Sequence, residues 1–156
     1  MSYLIDGHNL IPHVPGLELS ELDDENRLIN RLQQFCRVRR TKVEVYFDNA
    51  PTTHAGSKSF GTVRAHFVRS NTTADDAIRR RLKKLGKRAK NITVVSSDRQ
   101  VQAEARGKRA KVISSADFAR MLQDAETESM QSGEMKLSES ELDEWLRLFG
   151  AADDEN

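Results

Sequence analysis

The chain has 156 residues, a formal net charge of +1, 31% charged and 37% hydrophobic residues, and a single cysteine. That length suits one domain with a single packed core and a short appendage, and lone Cys36 excludes an intramolecular disulfide and with it a disulfide-stapled scaffold. No charged-then-apolar leader precedes the first apolar run and no stretch approaches the ~20 apolar residues of a bilayer span, so a soluble, cytoplasmic protein with no membrane partner is expected.

Residues 2–6 read as a short buried strand, Tyr3-Leu4-Ile5 closing on Asp6. From Glu21 to about Arg40, Leu22, Leu28, Ile29, Leu32, Phe35 and Cys36 recur near period 3.6, which predicts a helix that buries Cys36 as a small hydrophobe. Val43–Asp48 is β-branched and aromatic, hence a strand. Asn49–Gly61 holds Pro51, Gly56 and Gly61 among Ser, Thr and His, and reads as a mobile loop; His54 and Lys58 make it a candidate lid or strand guide. Thr62–Val68 alternates as a second strand, with Val63, Ala65 and Phe67 on one side.

Thr73–Leu85 is predicted helical, with Thr73 as N-cap and Asp76 at the third helical position. Ile92–Ser96 is an apolar strand of the kind buried on both faces, followed by a helix over Arg99–Arg106 that stops at Gly107. Lys111–Ile113 is a last strand, and Ser115–Leu122 a helix carrying Phe118, Met121 and Leu122. Strands alternating with helices predict an α/β fold with a parallel, doubly wound sheet. Beyond it, Gln123–Met135 reads as a polar linker, and Ser138 caps a short amphipathic helix with Leu142, Trp145, Leu146 and Phe149 on one stripe. The expected division is a domain over 1–123 and an acidic helical extension over 124–156.

Asp6, Asp48 and Asp98 each end a strand-like run, and Asp75 sits in the first turn of a helix on the stripe of Ile78 and Leu82. In an open parallel sheet the strand carboxyl ends line the ligand-binding edge. Acids gathered there repel, by about 4 kcal/mol for two charges ~4 Å apart at an effective dielectric of ~20, unless a cation or shared protons neutralise them. A divalent-metal site is the economical reading. Each motif alone also admits a plainer one: Asp6-Gly7-His8-Asn9 as an Asx-turn, Asp48-Asn49 as a turn, Ser97-Asp98 as a helix cap, and Asp76 as a capping residue on the solvent side. His8 falls within the candidate site. No zinc-type His/Cys spacing, Walker loop, G-x-G-x-x-G or G-x-S-x-G occurs.

The net charge conceals an asymmetry. Residues 1–123 carry 23 Lys/Arg against 13 Asp/Glu, a balance of +10, whereas residues 124–156 carry 2 against 11, a balance of −9. Basic residues cluster at Arg79–Arg81, Lys83, Lys84, Lys87, Arg88 and Lys90, and again at Arg106, Lys108, Arg109 and Lys111. Such clusters are the electrostatic footprint of a polyanion, here nucleic acid. The acidic tail could fold over the basic surface and compete with it, present its apolar stripe to a partner, or pack on its own domain.

Tyr3-Leu4-Ile5-Asp6-Gly7-His8-Asn9-Leu10, Val45-Tyr46-Phe47-Asp48, Thr73-Ala74-Asp75-Asp76 and Ser97-Asp98-Arg99, in this order, resemble the NYN domain family, and within it the YacP-like subgroup of the PIN-like nuclease group. The resemblance spans residues 2–122. It implies a PIN-like three-layer α/β/α sandwich around a mostly parallel five-stranded sheet. It also implies Mg²⁺- or Mn²⁺-dependent, endonucleolytic hydrolysis of RNA in turnover or translation-linked processing. Carried over, Asp6, Asn9, Asp48, Asp75 and Asp98 are the catalytic set. Asp6, Asp75 and Asp98, with Asp76 as a further contributor, are the metal ligands. Arg69, Arg79, Arg80, Lys83, Lys84 and Arg99 are the expected RNA contacts, with ribosome-associated, single-stranded RNA as the expected partner. One departure stands out: where the subgroup usually carries a Glu-Gln pair, this chain has Val101-Gln102. The competing reading is a non-catalytic RNA- or ribosome-binding module with a degenerate acidic site.

Overall fold

The computed structural model describes residues 2–18, 23–50, 55–69 and 72–136, with side chains described through residue 130. Strand β1 (Ser2–Asp6) passes directly into a one-turn helix α1 (Gly7–Leu10) and a 3₁₀ turn (Ile11–His13). Helix α2 (Asp24–Arg39) leads to β2 (Lys42–Ala50), the hairpin β3 (Gly56–Phe60) and β4 (Val63–Arg69), and helix α3 (Ala74–Leu85). After a 3₁₀ segment (Gly86–Asn91) come β5 (Ile92–Val95), α4 (Arg99–Gly107), β6 (Lys111–Ile113) and α5 (Ser115–Lys136).

The strands form one sheet in the order β3-β4-β2-β1-β5-β6, parallel throughout except for β3, which pairs antiparallel with β4. The expected five-stranded parallel core is therefore present, with one added edge strand. Because side chains alternate across a strand, each face receives its own layer. Tyr3, Ile5, Val43, Val45, Phe47, Val63 and Ala65 pack against Leu28, Leu32 and Phe35 of α2 and Phe118 and Leu122 of α5. Leu4, Tyr46, Ile92 and Val94 pack against Ile78 and Leu82 of α3 and Val101 and Ala105 of α4. The result is a three-layer α/β/α sandwich. Cys36 lies buried in the first layer, as its helical spacing implied, and burial pushes its thiol pKa up.

Two elements differ from the sequence reading. The expected loop over 49–61 contains the end of β2 and the whole of β3. Gly-Ser-Lys-Ser-Phe shows no apolar alternation because four of its five residues are exposed at the sheet edge, where no face needs to be apolar. Phe60 pairs with Val63 across Gly61-Thr62, and Gly61 takes a φ of 64°, as a two-residue hairpin loop requires at its first position. Lys58 lies 5.6 Å from the centre of the Phe67 ring, so it is a strand residue rather than part of a lid; His54 lies outside the described residues.

The expected linker after Leu122 is the continuation of α5 to Lys136. Ala125 extends the buried stripe of Phe118 and Leu122, and two acids of the supposed linker bind α2: Arg31 grips Glu126 through Nε (2.5 Å) and Nη2 (2.8 Å), and Arg39 bonds Glu128. The expected boundary at residue 123 thus falls inside a helix, and the capped helix expected from Ser138 lies outside the described residues. A two-point Arg–carboxylate pair with both side chains about three-quarters covered should contribute measurably. Glu126→Ala is expected to lower stability in urea unfolding by about 1–2 kcal/mol, whereas an acid on a free linker would show no change.

Candidate active site

The chain runs from β1 outward through β2 to β4 on one side of the sheet, then returns to lay β5 and β6 on the other. Strand order therefore reverses between β1 and β5, and the crevice at their carboxyl ends is where such a sheet binds ligands. Asp6 ends β1 there. Its Oδ1 accepts a hydrogen bond from the Asn9 backbone N–H (3.4 Å), so the same carboxylate caps α1. Gly7 makes this abrupt strand-to-helix passage possible, because a Cβ at that position would lie 2.3 Å from Phe47 Cε1.

Asp75 arrives from the first turn of α3, whose N-cap Thr73 accepts from the Asp76 N–H. Its carboxyl group lies close enough to that of Asp6 to hold it in its protonated form, and its Oδ1 is buried with no donor facing it among the described residues. The Asp6 pKa is pushed up to about 7, first by burial, then by the hydrogen bond to Asp75 and by that residue's charge, with Asp48 adding to the same effect and the Asn9 N–H opposing it. A half-buried carboxyl group beside a second one keeps its proton until something positive replaces it.

Asp48 sits on a β-bulge. The β2–β4 register jumps from Phe47↔Phe67 to Ala50↔Arg69, two residues against one, and Asn49 adopts a φ of 60°, which Asn tolerates better than most side chains. Its partner is His8, whose Nδ1 lies 2.6 Å from Asp48 Oδ1 while Nε2 lies 2.8 Å from Glu25 Oε2. The Glu25 hydrogen bond, against the opposing effect of burial and with help from Asp48, raises the His8 pKa to about 9. His8 is thus a cation at neutral pH and balances the charge of Asp48 internally.

Asn9 and Asp98 act on the other wall. Asn9 Oδ1 accepts from the Ser97 N–H (3.0 Å) and from the Ser115 hydroxyl (2.5 Å), tying α1 to the β5–α4 turn and to the start of α5. Only its amide nitrogen is left for a ligand. Asp98 caps α4, its Oδ1 accepting from the Gln100 and Val101 N–H groups at 2.8 and 3.1 Å. Val101 is fully buried beneath α3, so the position where an acid was expected contributes to the core instead.

Sequence reasoning placed four acids at one edge, and they are at that edge, but not in one cluster. Asp6 and Asp75 touch, Asp48 acts on Asp6 through its charge, and Asp98 is engaged by its own helix. Among the described residues no group of three or more His, Cys, Asp or Glu side chains is placed to hold a metal ion. What fits a cation is narrower: the Asp6–Asp75 pair, with a buried oxygen on Asp75 that no donor faces and a proton on Asp6 to displace. Mg²⁺ in particular is commonly held by one or two carboxylates, its remaining positions going to water and substrate phosphate. Asp76 turns aside to Arg79 (3.4 Å).

Of the expected cationic contacts, Arg79 is committed to Asp76 and, at 2.8 Å, to Glu104 of α4. Arg80 and Lys84 line a groove of about 290 Å³ between α3 and β4 together with Arg64 and His66, and Lys83 and Arg69 are exposed. Arg99 is exposed at the N-terminus of α4, where the helix dipole disfavours a cation. That placement favours a role toward an anion. Glu25 and Ser115 were missed; each is an ordinary polar residue whose partner lies far away in the chain.

The description of the YacP-like NYN domain matches residues 3–147. The chain belongs to the YacP-like NYN family. This is a nuclease-type domain family linked to RNA, and its match runs past Leu122, well beyond the motifs that suggested it. Among solved structures, Rae1 (YacP) from Bacillus subtilis is similar at 22% identity over 99% of this chain and 91% of that one, with a TM-score of 0.78. A tryptophan-to-leucine variant of the same protein is similar at 24% identity over 93% and 89%, with a TM-score of 0.72. At that identity the likeness establishes the fold. No curated protein matches significantly. Among the described residues of this YacP-like chain, no helix is long and apolar enough to cross a membrane.

Proposed function

We propose that the protein is a divalent-metal-dependent endoribonuclease whose ion is held by Asp6 and Asp75. The observation that carries this reading is the contact between those two carboxyl groups at the sheet's switch point, with Asp6 raised to about 7 and Asp75 Oδ1 lacking a partner. When bound, Mg²⁺ or Mn²⁺ would acidify a water and offset charge at the scissile phosphate. The chain's own part is positional. Asp6 must lose its proton to serve as a ligand, and the Asn9 N–H already favours its ionised form. The Asn9 amide nitrogen and Arg99 are placed to meet phosphate oxygens, and His8 keeps Asp48 from adding a third uncompensated charge.

The path for RNA leads along α3, whose N-terminus presents Asp75 and whose later turns present Arg80 and Lys84 toward β4. At about 1.5 Å per residue, Arg80 lies roughly 8 Å along the helix from Asp75 and Lys84 roughly 6 Å further. Within the groove Glu44 is held down by His66 (2.9 Å) and Arg81 (3.1 Å), leaving Arg64, Arg80 and Lys84 to phosphates. A flexible single strand suits such a track, with affinity that falls as salt rises.

A second reading, RNA binding without cleavage, is favoured by the engagement of Asp48 with His8 and of Asp98 with its helix. Incubation of labelled RNA with Mg²⁺ or Mn²⁺ separates the two. Chelator-sensitive internal cleavage supports the nuclease, and RNA that is bound but left intact in both metals supports the binding module.

The acid pair also predicts how an ion and pH act together. A raised Asp6 stabilises the metal-free fold below its ordinary pKa, and that contribution is lost as pH rises through about 7. The raised His8 contributes below its ordinary value and fades as pH passes about 9, so metal-free stability should fall from pH 6 to 9. An ion competes with the proton on Asp6. In thermal-shift measurements, Mn²⁺ should raise Tm more at pH 8 than at pH 5.5, following the usual ligand linkage. Equal shifts at the two pH values would count against Asp6 as a ligand.

A further inference from the structure

The stretches 83–90 and 106–111 contain nine Lys/Arg and no Asp/Glu. The groove beside α3 accounts for Lys84 alone among them. The fold brings the remainder together at the far end of the molecule. Helix α3 runs through Gly86–Asn91 into β5, and α4 runs through Lys108–Ala110 into β6. Both junctions feed the amino ends of parallel strands, so they lie at the sheet edge opposite Asp6 and Asp75. At about 3.3 Å per residue, the length of β1 alone separates the two edges by roughly 16 Å.

Between these junctions is a depression of about 530 Å³ lined by Gly86, Lys87, Lys90, Gly107, Lys108 and Arg109. No carboxylate lines it, and among the described residues none of its four cations forms an ion pair. Favourable interaction with the C-terminal ends of α3 and α4 explains Lys83, Lys84 and Arg106, which sit in the last turns. Lys108, the C-cap of α4, shares in that effect, whereas Lys87 and Lys90 lie past α3 in the 3₁₀ segment and Arg109 lies past the end of α4. Arg109 holds a φ of 65° because it closes α4 in a Schellman turn, with Ala110 N–H bonded to the Ala105 carbonyl and Arg109 N–H to that of Arg106. Four cations around one hollow that no carboxylate lines mirror the acids at the other edge and call for an anion.

The lining also indicates which anion. It contains no aromatic side chain on which an unpaired base could stack, and no side-chain acceptor that could read a base edge. Recognition confined to phosphates and overall shape is how base-paired RNA is bound, whereas single strands are held by stacking. We propose that this depression anchors the phosphodiester backbone of a base-paired RNA segment, distinct from the strand that reaches the acids. The inference rests on reading the protein as an RNA binder, but not on its cutting RNA.

The test is binding by the full chain in EDTA, with two RNAs: a hairpin bearing a single-stranded extension, and the extension alone. One variant carries Lys87→Gln, Lys90→Gln, Lys108→Gln and Arg109→Gln. A control variant removes equal charge from the opposite face, by Arg27→Gln, Arg37→Gln, Arg40→Gln and Arg120→Gln. The first variant should bind the hairpin about tenfold or more weakly, with its log–log salt slope reduced by roughly 3, since each phosphate contact contributes up to about 0.9. Its affinity for the extension should not change. Unchanged hairpin binding overturns the proposal, as does an equal loss with both RNAs or an equal loss in the control. Loss of binding to phosphatidylserine vesicles with hairpin binding intact would assign the hollow to anionic lipid and also overturn it. A wild-type chain that binds the hairpin but never cuts RNA removes the nuclease reading and leaves this one standing.

Discussion

Asp75→Asn is expected to abolish metal-dependent RNA cleavage while leaving the fold and RNA binding intact. The amide keeps the size of the carboxyl group and can still hydrogen-bond Asp6, so the packing of α3 on the sheet is undisturbed. What disappears is one of the two charges that would hold the ion. Changes one layer removed from a metal typically cost 10–100-fold in affinity or activity, so removing a ligand should lower the cleavage rate at least ~100-fold. Relief of the repulsion has an opposite effect on stability. With no metal, the variant should unfold at a higher temperature than the parent at pH 8, because Asp6 no longer faces a second carboxylate. Undiminished cleavage would show that Asp75 is not a ligand. A lower Tm at pH 8 would show that the pair is not under electrostatic strain.

Among the described glycines, Gly7→Ala should be the most damaging addition of a methyl group. An added Cβ would stand 2.3 Å from Phe47 Cε1 and 2.6 Å from Cδ1, inside any real contact distance. The ring cannot step aside cheaply, since Phe47 is fully buried and stacks on Phe67 with centroids 5.5 Å apart. Overpacking of this kind costs about 1–3 kcal/mol, readable by chemical unfolding. It should also lower activity, because Asp6, His8 and Asn9 flank the displaced residue. Phe47→Leu in the Gly7→Ala background removes the colliding ring edge, so the two changes should be strongly non-additive, the second recovering part of what the first lost. A Gly7→Ala protein as stable as the parent would mean that α1 can shift without loss.

Much of the architecture was readable because it depends on neighbours a few residues apart. Apolar period marked β1, β2, β4 and β5 and the buried stripes of α2 and α3, and Thr73 and Asp98 behave as the helix caps their positions suggested. The two misread segments failed for physical reasons. β3 lies at an edge where no face has to be apolar, and α5 continues beyond Leu122 on one small core residue, Ala125, and on acids whose partners belong to α2.

The residues by themselves determined the order of strands and helices, the gathering of acids at strand carboxyl ends and the separation of basic body from acidic tail. Periodicity, capping and charge count are properties of the chain and its near neighbours. Only the tertiary structure decided which of those acids work together. His8 is claimed by Glu25 and by Asp48, 17 and 40 residues away, Asn9 by Ser115, 106 residues away, and Asp6 by Asp75 from another helix. Choices among partners so distant are made by how layers pack, and here packing left one carboxyl pair short of positive charge while satisfying the rest.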